Sequence, residues 1–313
     1  MAITETKSLT LKELASTSDL LAGGHRLCPG CGHSITVRQI LHASENPVVI
    51  ATATGCLEVC TSVFPYTSWR VPWIHSAFEN AAATITGVEA MYQARRRRGQ
   101  TDKTIRFIAI AGDGGTYDIG LQSLSGALER GHDFTYICLN NEAYMNTGDQ
   151  RSSASPLGAD TTTTPAGSAI PGKQQHTKDL TAIVVAHNVP YAAQASPSHW
   201  KDLTTKSRKA MNTPGATFIN VMSPCPRGWR SDAALTVEYA KLAVDTCIWP
   251  LYEVENGKYK LNYKPKNKLP ITDFMKGQGR FKHLFKKGNE GLIESLQQKV
   301  DTDWERLLKL CEL

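Results

Sequence analysis

Two stretches decide how this chain folds: the apolar run 105–111, IRFIAIA, which leads into Gly112-Asp113-Gly114-Gly115, and the run 134–140, FTYICLN, which leads into Asn141-Glu142-Ala143. Both runs are short, apolar and rich in β-branched or aromatic residues, the pattern of a buried strand. Twenty-five residues separate Gly114 from Asn140, room for one helix, read at 117–130, and one strand. A strand–helix–strand unit of that length makes two parallel neighbours. Asp113 and Asn141 then emerge side by side at strand ends. An Asp oxygen, an Asn oxygen and a nearby main-chain carbonyl, completed by two phosphate oxygens and water, make an octahedral magnesium site. Glycines around the Asp let bare backbone approach phosphate.

The same alternation continues outward. Pro47-VVIATAT-Gly55 and ATFINVM (216–222) read as further strands, and 76–98, 178–187 and 198–212 as helices. The fold class is α/β, a mostly parallel sheet flanked by helices. Arg95 to Arg98 close the 76–98 helix before Gly99, where cations suit a negative helix terminus. Residues 145–176, rich in Thr, Ser, Gly and Pro, form a loop too long to be an idle connection. Two units are expected: 1–230, carrying the site, and 231–313, a C-terminal extension. In that extension Asn256-Gly257 sits between alternating residues as a β-hairpin turn, and a helix follows near 290–310. The extension is expected to leave the main sheet and wrap something.

The chain has 313 residues, 41% of them hydrophobic and 20% charged, enough for a packed core and too apolar for wholesale disorder. No apolar run approaches the roughly 20 residues that cross a bilayer, and the opening MAITETKSLTLKELA lacks a secretory pattern. A cytoplasmic protein is expected, with no membrane contact. Residues 251–300 hold eleven Lys/Arg against five Asp/Glu, which accounts for the net charge of +6. This basic stretch lacks a nucleic-acid motif and reads as a solvated or partner-facing arm.

Eight cysteines remain to be explained. Cys28-Pro29-Gly30-Cys31 is a C-x-x-C on a tight turn, open to three readings: redox dithiol, half a zinc site, or part of an iron–sulfur site. Gly55-Cys56 and Pro224-Cys225-Pro226 each follow a strand, where the carboxyl ends of an open α/β sheet converge. Cys28, Cys31, Cys56 and Cys225 can therefore meet. Cys60, Cys138, Cys247 and Cys311 read as bystanders, Cys138 as a small core hydrophobe.

Taken together, CPGCGH, ATGCLEV, AGDGGTYDIGLQSLSGALERGH, NNEAYMNTGDQRS and SPCPRGW closely resemble the beta subunits of 2-oxoacid:ferredoxin oxidoreductases of the pyruvate synthase type. The G-D-G…N-N pair looks like the thiamine diphosphate motif. The resemblance implies a thiamine diphosphate-binding fold carrying the diphosphate half of the cofactor site, Mg2+ and one [4Fe–4S] cluster. It places Cys28, Cys31, Cys56 and Cys225 as cluster ligands. Asp113, the Asn141 side chain and the Ala143 carbonyl become magnesium ligands. Gly55, Cys56, Gly112, Gly114, Gly115 and Asn146 lie against the cofactor, and Asn146 and Thr147 act on the substrate. It implies oxidative decarboxylation of a 2-oxoacid, pyruvate first and oxalate or another 2-oxoacid as alternatives. An alpha subunit would complete the thiamine site, a gamma/delta-type subunit would carry further clusters, and ferredoxin would accept the electrons. Glu79 and Glu142 remain unassigned. A zinc-stabilised, non-catalytic scaffold is the competing reading.

Overall fold

The computed structural model describes residues 8–167 and 169–312; the reading of the first seven residues lies outside the described part. Among the described residues eight strands form one sheet: β1 Val48–Ala53, β2 Trp73–Ser76, β3 Arg106–Gly112, β4 Phe134–Asn140, β5 Tyr191–Ala195, β6 Ala216–Met222, β7 Tyr252–Glu255 and β8 Lys258–Leu261. Their order is β2-β1-β3-β4-β6-β5-β7-β8. Every pairing from β2 to β5 is parallel, and the two that include β7 are antiparallel.

Side chains alternate across this sheet with period two, as a pleated strand requires. Ile108, Ile110, Ile137, Leu139, Ile219 and Val221 point into one core, shared with Val37 and Ile40 of helix Gly32–His42 and Leu203 of helix Trp200–Asn212. Phe107, Ala109, Tyr136, Cys138 and Phe218 point into the other, covered by helices Ala81–Arg97 and Leu121–Glu129. Both faces are buried, which is why the strands read as continuous apolar runs. Cys138 is fully enclosed there, as its core reading expects. Helix Ala81–Arg97 ends on its arginines, with Gly99 in a left-handed conformation just beyond.

The extension departs from expectation. Its hairpin does turn on Asn256 and Gly257, both with positive φ, the geometry that matches strand twist. It does not leave the sheet, because β7 pairs with β5 and lengthens the edge. Tyr252 and Val254 are buried there, so the alternation that signalled a hairpin also supplies a face for the core. Helix Glu290–Leu310 then buries Leu296, Val300, Trp304 and Leu307 in a third cluster with Trp229, Phe274 and Phe281. Among the described residues no helix is long and apolar enough to cross a membrane.

Candidate active site

Four consecutive strands of the sheet, β1, β3, β4 and β6, are followed within three residues by Cys56, Asp113, Asn141 and Cys225 respectively. One pocket at the ends of β1, β3 and β4 is lined by Gly55, Cys56, Gly112, Asp113, Gly114, Gly115, Asn141, Ala143, Asn146 and Thr147, with His33 and Tyr144 beside them; Cys28, Cys31 and Cys225 are not in its lining. Residues on separate segments of sequence thus share one space because parallel strands present their carboxyl ends together.

Asp113 is wholly buried. Its Oδ1 accepts the Asn141 N–H at 3.3 Å and its Oδ2 accepts the Ser152 hydroxyl at 2.5 Å. Burial pushes its carboxyl up to about 7, against the pull of the Ser152 bond. A carboxyl forced towards neutrality by burial is one that a cation would return to its charged form. Asn141 Oδ1 accepts the Ala143 N–H at 3.2 Å, and its Nδ2 lies 3.4 Å from His33 Nε2. His33 is buried and its pKa is held down to about 4 by burial, so the ring is neutral. Its Nδ1 has no hydrogen-bond partner among the described residues.

The glycines divide by what surrounds them. A Cβ at Gly55 or Gly112 would meet nothing within 4 Å, so bare backbone faces the open pocket. A Cβ at Gly114 would strike the Tyr144 ring at 2.3 Å, because the Tyr144 hydroxyl donates to the Gly114 carbonyl at 2.8 Å. Bare backbone beside a buried carboxyl is a cradle a diphosphate and its cation would fill. The donor set therefore fits magnesium and a phosphorylated cofactor.

The long loop 145–176 is tied down rather than loose. Besides the Ser152–Asp113 bond, the Ser153 N–H donates to Asp118 at 3.0 Å and the Ser155 hydroxyl donates to the Glu142 carbonyl at 2.5 Å. Asn146 and Thr147 are exposed at the pocket mouth. The Thr147 hydroxyl donates to Gln150 Oε1 at 2.5 Å, and Gln150 Nε2 donates back to the Thr147 carbonyl at 2.9 Å. Glu79 is partly exposed and accepts from Asn80 at 3.2 Å. Glu142 does not line the pocket and pairs instead with Arg280.

The cysteine turns dock against each other. The Gly32 N–H donates to the Pro224 carbonyl at 3.0 Å, and a Cβ on Gly32 would meet that backbone at 2.8 Å. This brings CPGCG against SPCP. Burial first, and the neighbouring Cys225 and Cys28 after it, push the Cys31 and Cys56 thiols each up to about 12, with Cys31 also acting on Cys56. Cys60 lies in the same electrostatic neighbourhood, pushed up by burial and by Cys28, a neighbour of the Cys56 turn four residues away. All eight cysteines are free thiols. Crowded thiols that raise one another suit a cationic centre that displaces their protons. Among the described residues no three His, Cys, Asp or Glu side chains close on a single point; a four-iron centre asks each sulfur for a different iron.

Sequence reasoning did not single out Ser152, Tyr144, Trp229 or Arg280, and quoted His33 within CPGCGH without giving it a role. Tyr144, Ser152 and Trp229 likewise stand within NNEAYMNTGDQRS and SPCPRGW, whereas nothing local marks Arg280.

Comparison with known proteins gives the following. Residues 53–221 match the thiamine pyrophosphate enzyme C-terminal TPP binding domain. The chain is 51% identical to the pyruvate synthase subunit PorB of Thermotoga maritima, covering 97% of each. It is 50% identical to that of Methanocaldococcus jannaschii, over 90% of this chain and 94% of the relative. It is 46% identical to the ketoisovalerate oxidoreductase subunit VorB of Pyrococcus abyssi, over 93% of each. A solved 2-oxoglutarate:ferredoxin oxidoreductase from Magnetococcus marinus matches with a TM-score of 0.52 at 22% identity, over 68% of this chain and 76% of that one, a likeness of fold.

Proposed function

The chain belongs to the family of pyruvate synthase PorB subunits and contains a thiamine pyrophosphate-binding domain, and we propose that it is the beta subunit of a pyruvate:ferredoxin oxidoreductase that holds thiamine diphosphate, Mg2+ and one [4Fe–4S] cluster. The observation that carries this reading is the shared pocket in which the fully buried Asp113, Asn141 and the open backbone of Gly55 and Gly112 meet. When bound, thiamine diphosphate supplies the carbon nucleophile for decarboxylating a 2-oxoacid, and the cluster supplies one-electron acceptance.

This chain's residues bind and orient. Asp113, Asn141 Oδ1 and the Ala143 carbonyl hold Mg2+, and Gly112, Gly114 and Gly115 admit the diphosphate. Gly55 and Cys56 bound the cofactor on the β1 side. Asn146 and Thr147, at the pocket mouth, orient the substrate carboxylate and donate to charge that develops on the substrate oxygen. Cys28, Cys31, Cys56 and Cys225 hold the cluster beside the same strand ends.

An alpha subunit completes the cofactor site and supplies the activating glutamate; neither Glu79 nor Glu142 takes that role here. A gamma/delta-type subunit carries the later clusters to ferredoxin. Residues 1–230 form the cofactor unit, and 231–313, whose stretch 251–300 holds eleven Lys/Arg against five Asp/Glu, contact the other subunits. Thiolate ligands need a reducing compartment, which supports a cytoplasmic location. The VorB relative makes a branched 2-oxoacid the second substrate reading.

The test is an anaerobic assay of the complete complex, following dye reduction with pyruvate, 2-oxoisovalerate and oxalate, with and without coenzyme A. Pyruvate turnover that requires coenzyme A supports the reading. Activity in the purified single chain, or none in the complex with any 2-oxoacid, overturns it.

A further inference from the structure

Of residues 141–147, Glu142 alone does not line the cofactor pocket. It lies between two proposed magnesium ligands, and its backbone is left-handed at φ 65°. A non-glycine residue keeps that conformation only where its surroundings over-determine it. Here the surroundings are a buried ion pair: Arg280 donates to Glu142 Oε2 at 2.5 Å, with 3% of the arginine and 5% of the glutamate side chain exposed.

Arg280 is itself held from several sides. Its Nε donates to Gln278 Oε1 at 2.9 Å. Its guanidinium lies 4.2 Å from the Trp229 ring centroid and 4.7 Å from that of Phe281. Trp229 in turn donates its indole N–H to the Asn141 carbonyl at 2.8 Å. Arg280 therefore reaches the 141–143 turn by two routes, directly at Glu142 and through Trp229 at Asn141. Its backbone is anchored too, since its carbonyl accepts the Asp160 N–H at 3.0 Å and the Gly279 N–H donates to the Arg230 carbonyl at 3.1 Å.

A buried ion pair is weak evidence for stability, because desolvation offsets much of the attraction, and conformational specificity is the better account of one placed beside a functional turn. We propose that Arg280 is a positioning residue for the divalent cation: by fixing Glu142 outward it holds Asn141 Oδ1 and the Ala143 carbonyl in ligating orientation. The C-terminal segment thereby sets the cation requirement of the cofactor site. This rests on the magnesium reading of Asp113 and Asn141 given above.

The test uses the complete complex carrying Arg280→Gln, Arg280→Lys, Glu142→Gln or Asp113→Ala. For each, the Mg2+ concentration that half-saturates thiamine diphosphate binding is measured by titration calorimetry, beside iron content and the thermal unfolding midpoint. Arg280→Gln should raise the half-saturating Mg2+ at least about tenfold, equivalent to about 1.4 kcal/mol, with iron content and binding at saturating Mg2+ unchanged. Arg280→Lys should recover part of that loss, and Glu142→Gln should move in the same direction as Arg280→Gln.

A lowered unfolding midpoint with a wild-type Mg2+ requirement would assign Arg280 a merely structural role and overturn the proposal. Should Arg280→Gln not fold, a wild-type requirement in both Arg280→Lys and Glu142→Gln overturns it equally. Asp113→Ala separates the two layers. Lost cofactor binding there with unchanged arginine variants defeats this inference alone, whereas normal binding in Asp113→Ala removes the magnesium reading on which it stands.

Discussion

Ser152 donates its hydroxyl to Asp113 Oδ2 at 2.5 Å, so the long loop after β4 closes on the carboxylate that ends β3. The Asp113 carboxyl in the pocket is thus shared between a strand end and the loop, with Asn141 N–H on its other oxygen.

The first prediction concerns pH. In the cofactor-free protein Asp113 is raised from 3.8 to about 7 by burial, so between those values the folded chain holds a proton that the unfolded chain releases. That contribution to stability is fully present below the ordinary carboxylate range and is lost as pH rises through about 7. Cofactor-free Asp113→Asn complex should therefore lose less stability than wild type between pH 6 and pH 8 (roughly one unit either side of that pKa), measured by thermal unfolding. Protons also compete with Mg2+ for the carboxylate, so thiamine diphosphate binding at fixed Mg2+ should weaken below about pH 7 in wild type. An equal pH slope in Asp113→Asn would refute the assignment.

The glycines supply a second prediction. Gly112→Ala has open space for its Cβ, whereas in Gly114→Ala the new Cβ meets Tyr144 at 2.3 Å. Gly112→Ala should keep the wild-type unfolding midpoint yet lose cofactor affinity, because its methyl occupies the cradle. Gly114→Ala should cost about 1–3 kcal/mol by forcing Tyr144 aside. Urea unfolding and titration calorimetry separate the two effects; a Gly112→Ala protein with normal cofactor affinity would contradict the cradle.

Cysteine replacements make the third. Serine at Cys28, Cys31, Cys56 or Cys225 should abolish stoichiometric iron in anaerobically purified complex. Cys138→Ala removes only a buried sulfur in β4 and should keep full iron at a cost of about 1 kcal/mol. Cys60→Ser, in the same neighbourhood but outside the proposed ligand set, should also keep full iron. Iron lost from Cys60→Ser and kept in Cys225→Ser would rewrite the ligand set.

The fold's centre was legible because its signals are local. Strands β1, β3, β4 and β6 are apolar runs, and the spacing from Gly114 to Asn140 encodes a crossover. Strand β5, YAAQA, carries no β-branched residue, and β2 has only four residues at the sheet edge; both gain their structure from neighbours. The hairpin's turn was readable from Asn256-Gly257, but its pairing with β5, about sixty residues earlier in sequence, was not. The candidate site divides the same way. Asp113, Asn141 and the cysteine turns announce themselves by residue type and spacing. Ser152, Trp229 and Arg280 reach the site across 39, 88 and 138 residues respectively, through contacts that no local pattern encodes.

In the proposed function, one chain brings a thiamine diphosphate–magnesium cradle and a four-cysteine cluster to neighbouring strand ends. The most direct measurement is combined iron, zinc and thiamine analysis with a visible spectrum, on complex purified without oxygen and compared with its Cys225→Ser and Asp113→Ala forms. Wild type should be brown with thiamine bound. Cys225→Ser should lose about four iron atoms per beta chain, and Asp113→Ala should lose thiamine while keeping its iron. A colourless, zinc-loaded complex without thiamine, or iron and thiamine contents untouched by either substitution, would contradict it.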